Sequence, residues 1–194
     1  MQNTISCMTT YVCSMRRAVK FLTIIFLFSL LAGCSTYQIT KKQSISLYQN
    51  TPIAILSFNN NTQTPDANAA ASAMCANLLR AKGFTNLIIY QPPTPSQMTI
   101  PGLETQPSLS RQLEFARSRG AAYALYGSVN EWNYKVGLDS EPVAGASLEL
   151  IDLSQNRVVW SSVGSMNGSS RAGLSVAGQN LLGMMLQTVT AAKK

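Results

Sequence analysis

The sequence predicts a single α/β domain, a mixed β-sheet with helices packed on it in the order β-α-β-α-β-β-β-α. Three observations lead there. An apolar run, an alanine-rich helical pattern and a second apolar run follow one another between Pro52 and Tyr90, which is the layout of a βαβ unit. Three alternating segments between Ala121 and Ser165 are divided by turn residues, as antiparallel strands are. The last stretch, LSVAGQNLLGMMLQTV, places Leu174, Ala177, Leu181, Met184 or Met185 and Val189 on one helical face.

The chain opens with a segment that is not part of this domain. Arg16, Arg17 and Lys20 precede FLTIIFLFSLLA, and a basic stretch before a short apolar core is the pattern of a secretory leader. The apolar run is about twelve residues, too short to remain as a spanning helix, which needs roughly twenty. It ends in Leu31-Ala32-Gly33-Cys34, which resembles the bacterial lipobox. That motif implies residues 1–33 as a lipoprotein signal peptide and Cys34 as the lipidated first residue of the mature chain. Acyl chains then supply the membrane affinity, each buried CH₂ contributing about 0.8 kcal/mol. Ser35 stands where an aspartate would favour inner-membrane retention, so the resemblance implies the periplasmic face of the outer membrane. Met15, directly before the arginine pair, is the alternative start.

Residues 34–50 are expected to form a lipidated, flexible tether, because STYQITKKQSISLYQN is polar and without a sustained period. The α/β domain is expected over 51–191. PIAILSF is its first strand and NNNTQTPD the loop that follows. Asp66 is the candidate cap of a helix carrying Ala70, Ala73, Met74, Leu78 and Ala81, with Gly83 as its stop. Asn86 to Tyr90 is the second strand, parallel to the first. QPPTPSQMTIPGLETQPS is a long irregular loop, and Ser108 or Ser110 caps a second helix that buries Leu113, Phe115 and Ala116 and ends at Gly120. AYALYGSVNEWNYK and VAGASLELIDL read as a long hairpin, with RVVWSSVGS as the third antiparallel strand.

Composition narrows the function. The chain contains no histidine, which removes the usual general base, the commonest zinc ligand and the Ser-His and Cys-His nucleophiles. No glycine-rich phosphate loop, metal-ligand spacing or paired-carboxylate motif stands out, so an enzyme is not expected, and neither is a cofactor beyond the lipid on Cys34. Cys7 and Cys13 fall in the leader, leaving Cys75 as the one free thiol of the mature chain, most simply a buried small residue. The formal charge is +7; without the leader, twelve basic residues face eight acidic ones, too mild and scattered an excess for a nucleic-acid binder. Five of the eight acids, Glu131, Asp139, Glu141, Glu149 and Asp152, crowd into residues 131–152. By themselves they fit a solvated hairpin.

The segment GSVNEWNYKVGLDSEPVAGASLELIDLSQNRVVWSS, Gly127 to Ser162, resembles the PelC family, outer-membrane lipoproteins of Pel exopolysaccharide export. IAILSFNNNTQTPDANAAASAMCANLLRAKGF and AAYALYGS are similar to the same family. The resemblance implies a TolB N-terminal-like domain and a non-enzymatic subunit of a homo-oligomeric ring, seated beneath an outer-membrane export porin and passing it a cationic polysaccharide. In that setting Asp139, Glu141, Glu131 and Glu149 become candidate polymer-attracting residues, since a surface of one sign concentrates ligands of the other. Asp139 and Glu141, in the loop VGLDSEP, are preferred. One departure stands: Gly168-Ser169-Ser170-Arg171 lacks the aromatic that family members carry there, which leaves membrane attachment mainly to Cys34. The alternative function is an outer-membrane lipoprotein that activates a periplasmic cell-wall synthase or another envelope enzyme.

Overall fold

The computed structural model describes residues 36–41, 44–92, 108–136, 140–169 and 171–193. The expected order is present as β3 (Ile53–Ile55), α1 (Ala67–Ala81), β5 (Leu87–Ile89), α2 (Leu109–Ser118), β6 (Tyr123–Tyr134), β7 (Pro142–Asp152), β8 (Arg157–Asn167) and α3 (Leu174–Met185). Four short strands are added to it: β1 (Thr36–Lys41), β2 (Ile45–Tyr48), β4 (Asn59–Asn60) and β9 (Val189–Ala192).

The main sheet runs β1-β8-β7-β6-β3-β5, with β4 paired to β6 past the end of β3. β3 lies parallel to both β5 and β6, whereas β6, β7, β8 and β1 are antiparallel in turn. The βαβ expectation holds, and so do the three long antiparallel strands. Gly83 (φ +99°) and Gly120 (φ +74°) end α1 and α2 in the left-handed conformation, where a side chain is strained.

The expected tether requires correction. Residues 36–41 pair with β8 from Thr36↔Asn167 to Lys41↔Ser162, and Ile45–Tyr48 pairs in parallel with β9 as a small second sheet. The sequence of β1, TYQITK, does alternate, but over too few residues to register as a period. Its partner lies more than 120 residues away, and burial of Ile39 against Gly164 and Leu181 holds it there: a Cβ on Gly164 would sit 3.0 Å from Ile39 Cγ1 and 3.1 Å from Leu181 Cδ1.

α1 and α3 pack on one sheet face over the main core of Ile53, Ile55, Phe58, Leu125, Leu148, Leu150 and Trp160. Trp160 is fully buried, and its indole Nε1 donates to Thr188 Oγ1 at 3.0 Å, so its polar edge is satisfied inside the core. Cys75 and Met185 are buried there as expected, with Met184 partly so. α2 covers only part of the other face, over Ala54, Leu56, Ala124, Ile151 and Leu153. Its fully buried residues are Gln112 and Ala116, and Leu113 and Phe115 pack at the margin. Gln112 Oε1 accepts the Ser57 amide at 2.7 Å, which is why a polar residue occupies that inner position. Asp66 and Ser108 stand at the helix N-caps without a side-chain capping bond.

Candidate functional site

Because α2 covers only one part of the second sheet face, the rest of that face, formed by β6, β7, β8 and β1, is open among the described residues. Its character follows from strand alternation and one bulge. Up to Val129, odd residues of β6 face the main core; then the register skips from Val129↔Ala146 to Glu131↔Gly145, leaving Asn130 as the extra residue. The skip reverses the alternation. Trp132 therefore turns into the core, where it is 5 % exposed, and Glu131 turns out. Without the bulge these two would exchange faces.

Glu131 sits over Gly145, where an added Cβ would approach Glu131 Cβ to 3.0 Å. Glu149 is exposed on the same face, four residues along β7, opposite Tyr126. Partial burial, and secondarily the negative charge of Glu149, push the Tyr126 phenol above its ordinary pKa. Glu141 is half-buried and just precedes β7; its carbonyl accepts the Lys135 amide at 2.8 Å, extending the ladder by one pair and bringing Glu141 to the same face by alternation. Four-residue steps of about 3.4 Å place successive carboxylates on the order of 13 Å apart. That exceeds the screening length of about 8 Å at physiological salt, so within one chain each acts nearly alone.

Between Glu131 and the edge strand lies a shallow recess of about 300 Å³ lined in part by Gln38, Thr40, Asn130, Glu131, Gly145 and Ser165. Ser128 and Ser147 share a 2.7 Å hydrogen bond on this face. Sequence reasoning missed the polar contribution of Gln38 and Thr40 because it assigned them to the tether. The fifth acid of the cluster, Asp152, does not join the surface. Its carboxylate accepts from Ser154 Oγ, Ser154 N and Gln155 N, and these bonds, led by the Ser154 hydroxyl, hold it below the usual carboxylate range. Asp139 and Cys34 lie outside the described residues. Among the described residues, no group of three or more His, Cys, Asp or Glu side chains is arranged to hold a metal.

Two solved structures share this fold closely. The PelC dodecamer from Paraburkholderia phytofirmans is 35% identical over 81% of this chain and 100% of that chain, with a TM-score of 0.69. A single-substitution variant of the same dodecamer is 36% identical over the same shares, with a TM-score of 0.69. The family model described as peptidoglycan-synthase activator LpoB matches residues 30–166. The chain belongs to the PelC family and, by that model, to the LpoB family. Lipoprotein GNA1162 from Neisseria meningitidis is a looser neighbour, 17% identical over 71% of this chain and 93% of that chain, with a TM-score of 0.47. No curated protein matches.

PelC membership accounts for the mixed α/β domain at the level of fold, and the two PelC structures are dodecamers.

Proposed function

We propose that the chain is a non-enzymatic lipoprotein of polysaccharide export. In this reading it is anchored through lipidated Cys34 at the periplasmic face of the outer membrane, assembled as a ring, and delivers cationic Pel polymer to the outer-membrane porin. The observation that carries this reading is the 35% identity to the PelC dodecamer over 81% of the chain. Glu131 and Glu149, exposed on the open sheet face, together with Glu141 and Asp139 at the hairpin end, are the polymer-attracting groups. Each exposed carboxylate contributes about 1 kcal/mol or less; repetition around a ring gives the attraction its strength. The test is secretion of polymer by cells carrying Glu131→Lys with Glu149→Lys, and separately Asp139→Lys with Glu141→Lys. A drop of severalfold with normal localisation supports the reading, and unchanged secretion from both pairs removes the acidic face as the attracting surface.

The LpoB family-model match favours a second reading, in which the lipoprotein activates a periplasmic cell-wall synthase. Polymer-independent changes in cell-wall synthesis on deletion of the gene, with polymer secretion intact, would select it.

A further inference from the structure

A group of the described basic residues gathers at the end opposite the β6–β7 hairpin. Arg80 lies in the last turn of α1 and Arg117 in the last turn of α2. Arg119 follows α2, Arg157 opens β8, and Lys193 follows β9. The intervening loops are tied together: Ala122 N donates to Pro52 O, Leu153 N to Ala122 O, and Thr85 N to Gln49 O. Five strands, β8 through β5, span this end, a width of about 19 Å at 4.8 Å per strand.

Three of the arginines are held by neutral groups. Arg117 Nη2 donates to Asn156 Oδ1 at 2.9 Å, Arg157 Nε donates to Gln155 Oε1, and Arg119 stacks 5.4 Å above the Phe115 ring. These contacts fix the guanidinium groups in place, and for Arg117 and Arg119 they leave the charge uncancelled, whereas Arg157 also faces the Asp152 carboxylate, its pairing partner across the β7–β8 turn; a pre-ordered guanidinium loses less entropy on meeting a carboxylate. The acid among them, Asp152, is engaged by Ser154 and Gln155. Arg117 also borders a recess of about 300 Å³ with Ala121, Tyr123, Ser154 and the engaged carboxylate Asp152. The chain enters β1 at the other end, where Thr36 pairs with Asn167, and only Ser35 lies between Thr36 and Cys34, two residue steps or a reach of about 7 Å.

We propose that this basic end is a docking surface for a polyanion, the carboxylate-bearing glycan–peptide network of the cell wall. The charge and the fixed guanidinium groups select a carboxylate polymer; the choice of the cell wall rests on the lipid anchor of the proposed function, which leaves this end pointing away from the membrane. Docking here is independent of the acidic sheet face that meets the cationic polymer.

The experiment is co-sedimentation of the full-length lipidated protein, in mild detergent, with purified cell-wall sacculi. Wild-type protein is expected to pellet at about 50 mM salt and to be released at about 300 mM, as screened charge contacts are. Arg117→Glu with Arg119→Glu lowers the pelleted fraction at least about fivefold. The milder Arg117→Gln with Arg119→Gln lowers it in the same direction, and Arg171→Glu, at the hairpin end, leaves it unchanged. Absence of pelleting at low salt, salt-insensitive pelleting, or equal loss in the Arg171 variant overturns the proposal. Loss of polymer secretion in the Glu131 and Glu149 variants is a separate readout, so either idea can fail without the other.

Discussion

Individual residues show how closely the two helices over the main core are fitted to the sheet. A Cβ on Gly178 of α3 would stand 2.0 Å from Trp132 Cη2 and 2.7 Å from two further ring atoms. Trp132 is itself walled in, so the ring has no room to retreat. Gly178→Ala is expected to lower stability by about 1–3 kcal/mol despite alanine's better helix propensity; a denaturant midpoint equal to or above wild type would contradict this packing. Cys75 is a second case: burial pushes its thiol well above the ordinary range, and a thiol without thiolate does not react. It is expected to label with a thiol reagent only as the domain unfolds, at the rate measured for unfolding by fluorescence.

Asp152 links a residue to pH. Its folded-state pKa is depressed, with the Ser154 hydroxyl as the leading cause and the Gln155 amide next. A depressed carboxylate adds stability above its unfolded pKa, near 3.9, and that contribution is lost as pH falls through the folded value. The stability difference between wild type and Asp152→Asn should therefore be constant from neutral pH to about 5 and shrink below about 4. A gap that widens on acidification would reverse the assigned sign.

At the scale of elements, the bulge in β6 and the edge strand β1 decide what the open face displays. The bulge residue Asn130 bonds within its own neighbourhood, accepting from Asn61 Nδ2 at 3.0 Å and Ser128 Oγ at 3.1 Å, so the irregularity is held by specific contacts. Deleting Asn130 would join Val129↔Ala146 directly to Glu131↔Gly145 in a regular ladder, with Glu131 still outward and Trp132 still inward; the variant is expected to stay soluble with a wild-type-like near-UV spectrum, and an insoluble protein would refute the register argument. For β1, the fit of Ile39 over Gly164 is the anchor. Gly164→Val is expected to release residues 36–41, read as loss of amide exchange protection at Gln38 to Thr40 while β7 remains protected.

At the scale of the whole molecule, charge is divided between two surfaces. The acids Glu131, Glu141 and Glu149 share the open sheet face, whereas Arg80, Arg117, Arg119, Arg157 and Lys193 occupy the end away from the hairpin. A net charge of +7 over the full chain conceals this division. The PelC relatives form dodecamers, and a closed ring requires two different faces of each subunit to meet. Light scattering of the lipidated protein in bilayer discs is expected to give a mass of many subunits; a monomer at every concentration would contradict cyclic assembly.

Much of this was legible from residues alone because it is local. The order of strands and helices followed from runs and periods within β3 to α3. Gly83 and Gly120 stand where only a left-handed residue ends a helix cheaply. The tertiary structure decided what depends on distant pairing. TYQITK becomes a strand only when β8 offers an edge more than 120 residues later. Glu131 faces water because one extra residue, Asn130, shifts the register so that Glu131 meets Gly145 on the neighbouring strand, which reverses the alternation that the sequence shows. Scattered arginines become one basic end because the loops that carry them are gathered at one edge of the sheet. In each case the deciding energy is a contact between segments far apart in the chain, and no period within a single segment records it.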